Sequence, residues 1–345
     1  MSNTYPPTPA PIPDPAQLHS DSSLSSYSPL MYSPDNRSRR YRGDPARDQA
    51  IAGEAVRFLL REIGDPDLEA RVADRLRLPP TDADDLRPVI TVFRSSTVPA
   101  GVLRWLVERD DQDANAIAYY MPATPEAVKR DILLGVPYGA ATGYIPVSRQ
   151  LKGADQAGLH YRSFQLGRPR AIEDHGDTDT RGLIDALYIY GAERRMKQIR
   201  HVAAATGARD WARIAAADQA TPLPGYARWA LCVHPACPPE LRVQFGGTHP
   251  RYARRMRRAG IPLGGSGELV RTMRIPELVL AVLGSGRRLF PERVGAARDA
   301  VRPLVRRDLG GNLEAWSVLN RLMPQFSGTV PELIATSGAV AGGAG

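Results

Sequence analysis

The sequence predicts an all-α fold: stacked, solenoid-like helical hairpins in two lobes, joined by an irregular insertion and preceded by a disordered N-terminal tail. Three observations carry that expectation. Apolar residues recur at helical spacing along most of the chain. The segments that hold them open on Asp-Pro or Thr-x-Pro signals. One proline-cornered unit occurs twice.

Residues 1–43 (PPTPAPIPDP, then SDSSLSSYSP, ending in RSRRYR) have too little apolar surface to offset the entropy of ordering, which predicts a disordered tail. A helical lobe is expected over 44–135. Asp44-Pro45 opens its first helix, Ile51, Ala55, Phe58, Leu59 and Ile63 share one face, and Gly64 closes it. Asp65-Pro66 opens the second, with Leu68, Val72 and Leu76 inward and Pro79-Pro80 as the stop. Leu86, Val89, Ile90 and Phe93 mark a third. Val102, Leu103, Leu106 and Val107 mark a fourth, opened by Thr97 and Pro99. No alternating strand or Asn-Gly hairpin interrupts this stretch.

Residues 136–180 break the rhythm and predict an irregular insertion or connector. Helical spacing resumes at Leu183, Ile184 and Leu187. It runs through Met196, Ile199, Val202, Trp211, Ile214 and Trp229, then 278–283, 294–305 and 313–322. This gives a second lobe over 181–337, with Pro303 expected to kink or split its helix. The small residues of 338–345 predict a flexible C-terminal tail.

The twice-used unit is IAYYMPATPEAVKRDIL (117–133) and ALCVHPACPPELRVQFG (230–246), offset by 113 residues. Pro122 falls on Pro235, Pro125 on Pro238, Val128 on Leu241 and Ile132 on Phe245. The first proline ends one helix and the second opens the next, so the link becomes a rigid corner. TVPAGVL (97–103), RIPELVL (274–280) and TVPELI (329–334) echo it. DPDLEARVADRLRLPPTDADDL (65–86), MPATPEAV and HPACPPEL resemble units of the variant leucine-rich repeat group, relatives of HEAT-like helical solenoids. That resemblance implies short helices paired around Asn-Pro or His-Pro turns in a curved stack without a sheet. It also implies a binding surface in place of catalytic residues.

Charge is unevenly distributed within a net of +8. Residues 44–135 carry 12 basic and 17 acidic groups, whereas 181–345 carry 24 and 12. The two halves can dock on each other, or the basic half can meet an anionic partner. Of 45 Lys and Arg residues only Lys129, Lys152 and Lys197 are lysine, the skew expected of a GC-rich bacterial genome. HPRYARRMRRAG (249–260) concentrates the signal, with five arginines in eight positions. At about 100° per residue, Arg251, Arg254, Arg255 and Arg258 share one stripe and Tyr252, Met256 and Ala259 another. Arginines at 194, 195, 200, 287, 288, 306 and 307 would extend a basic surface if the helices stack in order.

Candidate chemistry is sparse. Cys232, His234, Cys237 and His249 do not follow structural-zinc spacing, and the sister unit has Tyr119, Met121 and Thr124 in the first three slots, so packing explains them better. Glu173, Asp174 and Asp177 lack the glycine and glutamate of a calcium loop and suit a helix start instead. GIPLGGSGELV (260–270) has Glu268-Leu269 where a P-loop needs Lys-Ser or Lys-Thr, and a turn capped by Ser266 is expected. His160 and His201 have no partner that spacing can place, and Tyr144 and Tyr161 in the insertion have nothing that requires a pocket. No hydrolase elbow, zincin helix or kinase signature is present.

No cofactor, metal or catalytic residue is therefore expected. No apolar run approaches the roughly 20 residues of a membrane span, the N-terminus lacks a secretory pattern, and two cysteines fit a reducing cytoplasm. The sequence thus predicts a cytoplasmic, non-catalytic helical-repeat scaffold. It would bind a protein or other anionic partner through Arg251, Arg254, Arg255 and Arg258. The alternatives are a nucleic-acid-binding protein using the same surface and an enzyme with its site in 136–180.

Overall fold

The structure, a computed structural model, describes residues 45–79, 87–95, 97–148, 151, 179–246, 250–258, 260–261 and 263–343. The tail expected over 1–43 and insertion residues 152–178 lie outside them. Among the described residues every regular element is a helix and no strand occurs.

In chain order the α-helices begin with α1 (Pro45–Leu60), α2 (Pro66–Leu76), α3 (Arg87–Phe93), α4 (Val102–Val107) and α5 (Gln112–Tyr120). There follow α6 (Glu126–Leu133), α7 (Asp179–Ala192), α8 (Met196–Ala204), α9 (Asp210–Ala220), α10 (Gly225–Cys232) and α11 (Pro239–Gln244). After α12 (Pro250–Arg258) come α13 (Gly265–Thr272), α14 (Pro276–Leu289), α15 (Pro291–Leu304), α16 (Leu313–Leu322) and α17 (Val330–Gly342).

These helices divide into two compact units, and the division differs from the sequential lobes expected. One unit takes Pro125–Arg254; the other joins the described residues up to Thr124 with those from Arg255 onward. The reason for the second, composite unit lies in α14. Its residues from Leu278 to Gly286 are all buried, so it is enclosed on every side and needs partners beyond its neighbours in sequence. α1 provides one wall, and α3, α13, α15 and α17 also pack on α14. Ile51, Ala55, Phe58 and Leu59 of α1 are buried, as the spacing predicts. Contact with α14 is close enough that a Cβ on Gly284 would stand 2.7 Å from the Glu54 carbonyl oxygen.

Local signals set most boundaries. Asp65 caps α2 by accepting the Asp67 and Leu68 N–H groups at 3.0 and 3.1 Å, with Pro66 as its first residue. Pro276 opens α14, and Thr329 and Glu332 form a capping box at α17.

Three expectations are corrected. α4 starts at Val102, not near Thr97, because Gly101 N–H donates to Gly260 O at 2.9 Å. Gly260, at φ +72°, brings its backbone against Pro99, where a Cβ would lie 2.8 Å from Pro99 Cα. Ser266 does not cap α13. It is buried in the first turn and bonds the Arg293 carbonyl of α15, while Glu268 accepts the Gly264 N–H at 2.6 Å. The expected flexible tail from 338 is instead helical to Gly342, since Gly338 lets α17 press on the Asp308 carbonyl, where any Cβ would collide.

The helix expected to split at Pro303 is not split there: α15 runs through it to Leu304 and passes into a π-turn, Val305–Leu309, closed by Gly310 N–H donating to Val305 O at 2.9 Å.

The two proline corners share backbone geometry. Pro125 precedes α6 at φ −61°, ψ 149°, and Pro238 precedes α11 at φ −57°, ψ 141°. Thr124 N–H donates to Met121 O and Cys237 N–H to His234 O, both at 3.1 Å and at matching positions.

Glycine contacts give a direct test of the α1–α14 packing. Gly284→Val is expected to lower unfolding free energy by about 2–3 kcal/mol through overpacking. Gly295→Ala on exposed α15, where nothing lies within 4 Å, should raise it by about 0.5–1 kcal/mol. Urea denaturation of both variants checks the contrast.

Candidate functional site

The arginine-rich segment forms α12, and its apolar back is set as the wheel predicts: Tyr252 and Met256 are 2% and 0% exposed. Arg254 is exposed. The side chains of Arg251, Arg255 and Arg258 lie outside the described residues, although their backbone continues the same helix. Arg257, which falls off the predicted stripe, is also exposed and stands 3.5 Å from Glu268. α12 itself contains no acidic residue, so nothing within the helix offsets its charge.

The arginines expected to widen this surface are mostly engaged elsewhere. Arg195 pairs with Glu193 at 2.7 Å, Arg200 lies over the Trp229 ring at 5.2 Å, and Arg307 pairs with Asp308 at 2.8 Å. Arg287 turns to Glu62. The available charge is therefore more local than the count of arginines suggests.

The second corner of the 125–254 unit is built around a buried arginine. Arg242 of α11 is only 4% exposed. It donates from Nε to Cys232 O at 3.2 Å and from Nη2 to His234 O and Pro235 O, both at 2.9 Å. A helix leaves its last carbonyls without intrahelical partners, and one buried guanidinium satisfies that of Cys232 at the end of α10 together with two carbonyls of the corner that follows. At the first corner Thr124 does comparable work by donating its hydroxyl to Ala118 O at 2.6 Å.

This geometry accounts for the Cys/His group. Cys232 Sγ faces Arg242 O at 3.7 Å and Cys237 Sγ faces Pro238 O at 3.5 Å. Burial pushes the Cys232 thiol up to about 11, so it is a packed thiol and not a nucleophile. His234 Nδ1 accepts the Ala236 N–H at 3.2 Å, which places the imidazole proton on Nε2, and its ring meets Trp211 edge-on at 5.2 Å. Burial, reinforced by the Arg242 charge, holds His234 down to about 3.

His249, His160, Tyr161 and the acidic trio Glu173, Asp174 and Asp177 lie outside the described residues, within which no three His, Cys, Asp or Glu side chains are placed to hold a metal ion. His201 is exposed near the end of α8.

Two buried carboxylates escaped sequence reasoning. Asp218, near the end of α9, accepts Arg228 Nε and Nη2 at 2.7 and 3.1 Å, Leu223 N–H at 2.9 Å and Gln244 Nε2 at 3.0 Å. It thereby closes the α9–α10 loop and ties in α11. Asp131 accepts the Tyr138 hydroxyl at 2.9 Å and Ala208 N–H at 2.8 Å, fastening the start of the insertion to α6. The described part of the insertion, 136–148, is irregular, as expected, with Tyr144 66% exposed. The repeat contained one usable hint, since Arg242 aligns with Lys129. Nothing local marks Asp218 or Asp131 as buried.

Comparisons with known protein families, curated proteins and solved structures return no match for the chain. No helix among the described residues is long and apolar enough to cross a membrane.

The His234 environment gives a pH signature. The imidazole stays neutral when folded and protonates near 6.5 when unfolded. The unfolded chain therefore binds more protons below that pH, and the associated stability is complete above 6.5 and falls as pH drops toward about 3. His234→Met, which installs the residue of the first corner, removes this contribution. The parent-minus-variant difference in unfolding free energy should shrink by about 2 kcal/mol between pH 7 and pH 5. A pH-independent difference in urea melts would refute the buried neutral imidazole.

Proposed function

We propose that the chain is a non-catalytic helical-repeat scaffold, of the variant leucine-rich or HEAT-like kind, whose α12 binds an acidic protein surface. The supporting observation is the anchoring of α12. Its buried Tyr252 and Met256 fix the helix, while Arg254 is exposed on an element with no acid of its own. Guanidinium forks held on a fixed helix meet carboxylates in bidentate geometry at little entropic cost. A protein partner suits this arrangement better than a nucleic-acid backbone. Continuous phosphate tracking needs an extended basic stripe, and Arg195, Arg200 and Arg307 have partners within the chain.

The polar groups of the described insertion argue against the enzymatic alternative. Asp131 and Tyr138 are tied to each other and to backbone, which is the work of a structural fastening.

Affinity capture with the parent and with an Arg254→Glu/Arg255→Glu variant tests the proposal. The parent should retain a protein partner in a salt-sensitive and nuclease-resistant manner, and the variant should lose at least tenfold in affinity. Equal capture by the variant would overturn the role of α12, and capture abolished by nuclease would replace the protein partner with nucleic acid.

A further inference from the structure

In the composite unit, Glu62 lies just beyond α1 with its side chain wholly removed from solvent, and three guanidiniums from α14 and α15 converge on it. Arg298 Nε donates to Oε1 at 2.6 Å. Arg302 donates to Oε2 from Nε at 3.1 Å and Nη2 at 3.0 Å. These bonds already give each carboxylate oxygen a charged donor. Arg287 Nη1 stands 3.6 Å from Oε1, and this buried atom makes no hydrogen bond.

The third guanidinium is thus unexplained by the needs of Glu62. One arginine neutralises one carboxylate, so three guanidiniums around Glu62 carry more positive charge than it offsets. Crowding is evident at Arg287, where burial and the charges of Arg61 and Arg298 hold the guanidinium below its usual range. Two further acids face the group. Glu69 of α2 opposes Arg287, and Asp299, 77% exposed, lies 3.9 Å from Arg302. The side chains of Arg287, Arg298 and Arg302 are 33%, 36% and 37% exposed, so an ion can reach them from solvent.

We propose that Arg287, Arg298 and Arg302 form a binding site for a phosphate dianion, free or carried by a small phosphomonoester, with Glu62 as the buried counter-charge that aligns the guanidinium forks. A tetrahedral oxyanion offers acceptors to the solvent-facing N–H groups of the three guanidiniums, while the sealed Arg287 Nη1 stays turned to Glu62. It also relieves the like-charge repulsion among them. The inference does not depend on the reading of α12.

Thermal melts of the full chain, with inorganic phosphate titrated against sodium chloride at equal ionic strength, test it. Phosphate should raise the Tm saturably by roughly 2–5 °C, while chloride does not. Phenyl phosphate serves as the second arm: an equal or larger shift assigns phosphomonoesters, and a response to inorganic phosphate alone assigns the free ion. Arg287→Gln should weaken the phosphate response at least tenfold in concentration. Arg287→Lys, which keeps the charge but loses the fork, should also weaken it, whereas exposed Arg321→Gln should leave it unchanged. Identical melts in phosphate and chloride would overturn the proposal, as would an Arg287→Gln protein that titrates like the parent. A shift that saturates at millimolar phosphate decides the matter even if a variant fails to fold, because general stabilisation by excluded phosphate grows without saturating.

Discussion

The composite unit depends on the enclosure of α14. A helix whose residues from Leu278 through Gly286 are all buried cannot face water on any side. Each fully buried Leu or Val contributes about 1.5–3 kcal/mol, provided that neighbouring helices supply the complementary surface. α1 does so from more than two hundred residues upstream, and small side chains mark the approach. Gly284 admits the α1 backbone and Gly338 admits the π-turn after α15. Ion pairs then link the same elements at their margins: Glu108 of the α4 end holds Arg293 at 2.9 Å, and Arg109 holds Glu292 at 3.1 Å. These exposed pairs contribute little energy and follow from the packing.

The 125–254 unit solves a different problem. Its helices are short, so a large share of its backbone consists of helix ends whose carbonyl and amide groups need partners. Buried charges meet that need. Arg242 gathers three carbonyls, Asp218 gathers four donors, and the Tyr188 hydroxyl bonds the carbonyls of Ala217 and Thr221. Such groups are costly to desolvate and correspondingly exacting about geometry. Removing one partner would strand the others.

Much of the helical architecture was legible in the sequence. Asp65-Pro66, the 51–59 face and the proline corners place elements because they act over a few residues. Tertiary closures were not legible: α4 begins where Gly260 meets Gly101, and Ser266 is drawn into a contact with α15 although it reads as a cap. Composition misled at the C-terminus, where Gly338 and its small neighbours signify close packing. The cationic helix could be read from its period, and burial of Tyr252 and Met256 agrees with it. The Glu62 cluster could not, since its members are separated by some 240 positions and meet only through the pairing of α1 with α14 and α15.

The split origin of the composite unit also orders events during synthesis. When α1 leaves the ribosome, its apolar face has no mate, and residues 125–254 are made before α14 exists. Residues 125–254 have contacts of their own to form meanwhile, whereas α1 must wait for its principal neighbour. That interval is when a nascent chain is most exposed to wrong company, and its length is a consequence of topology.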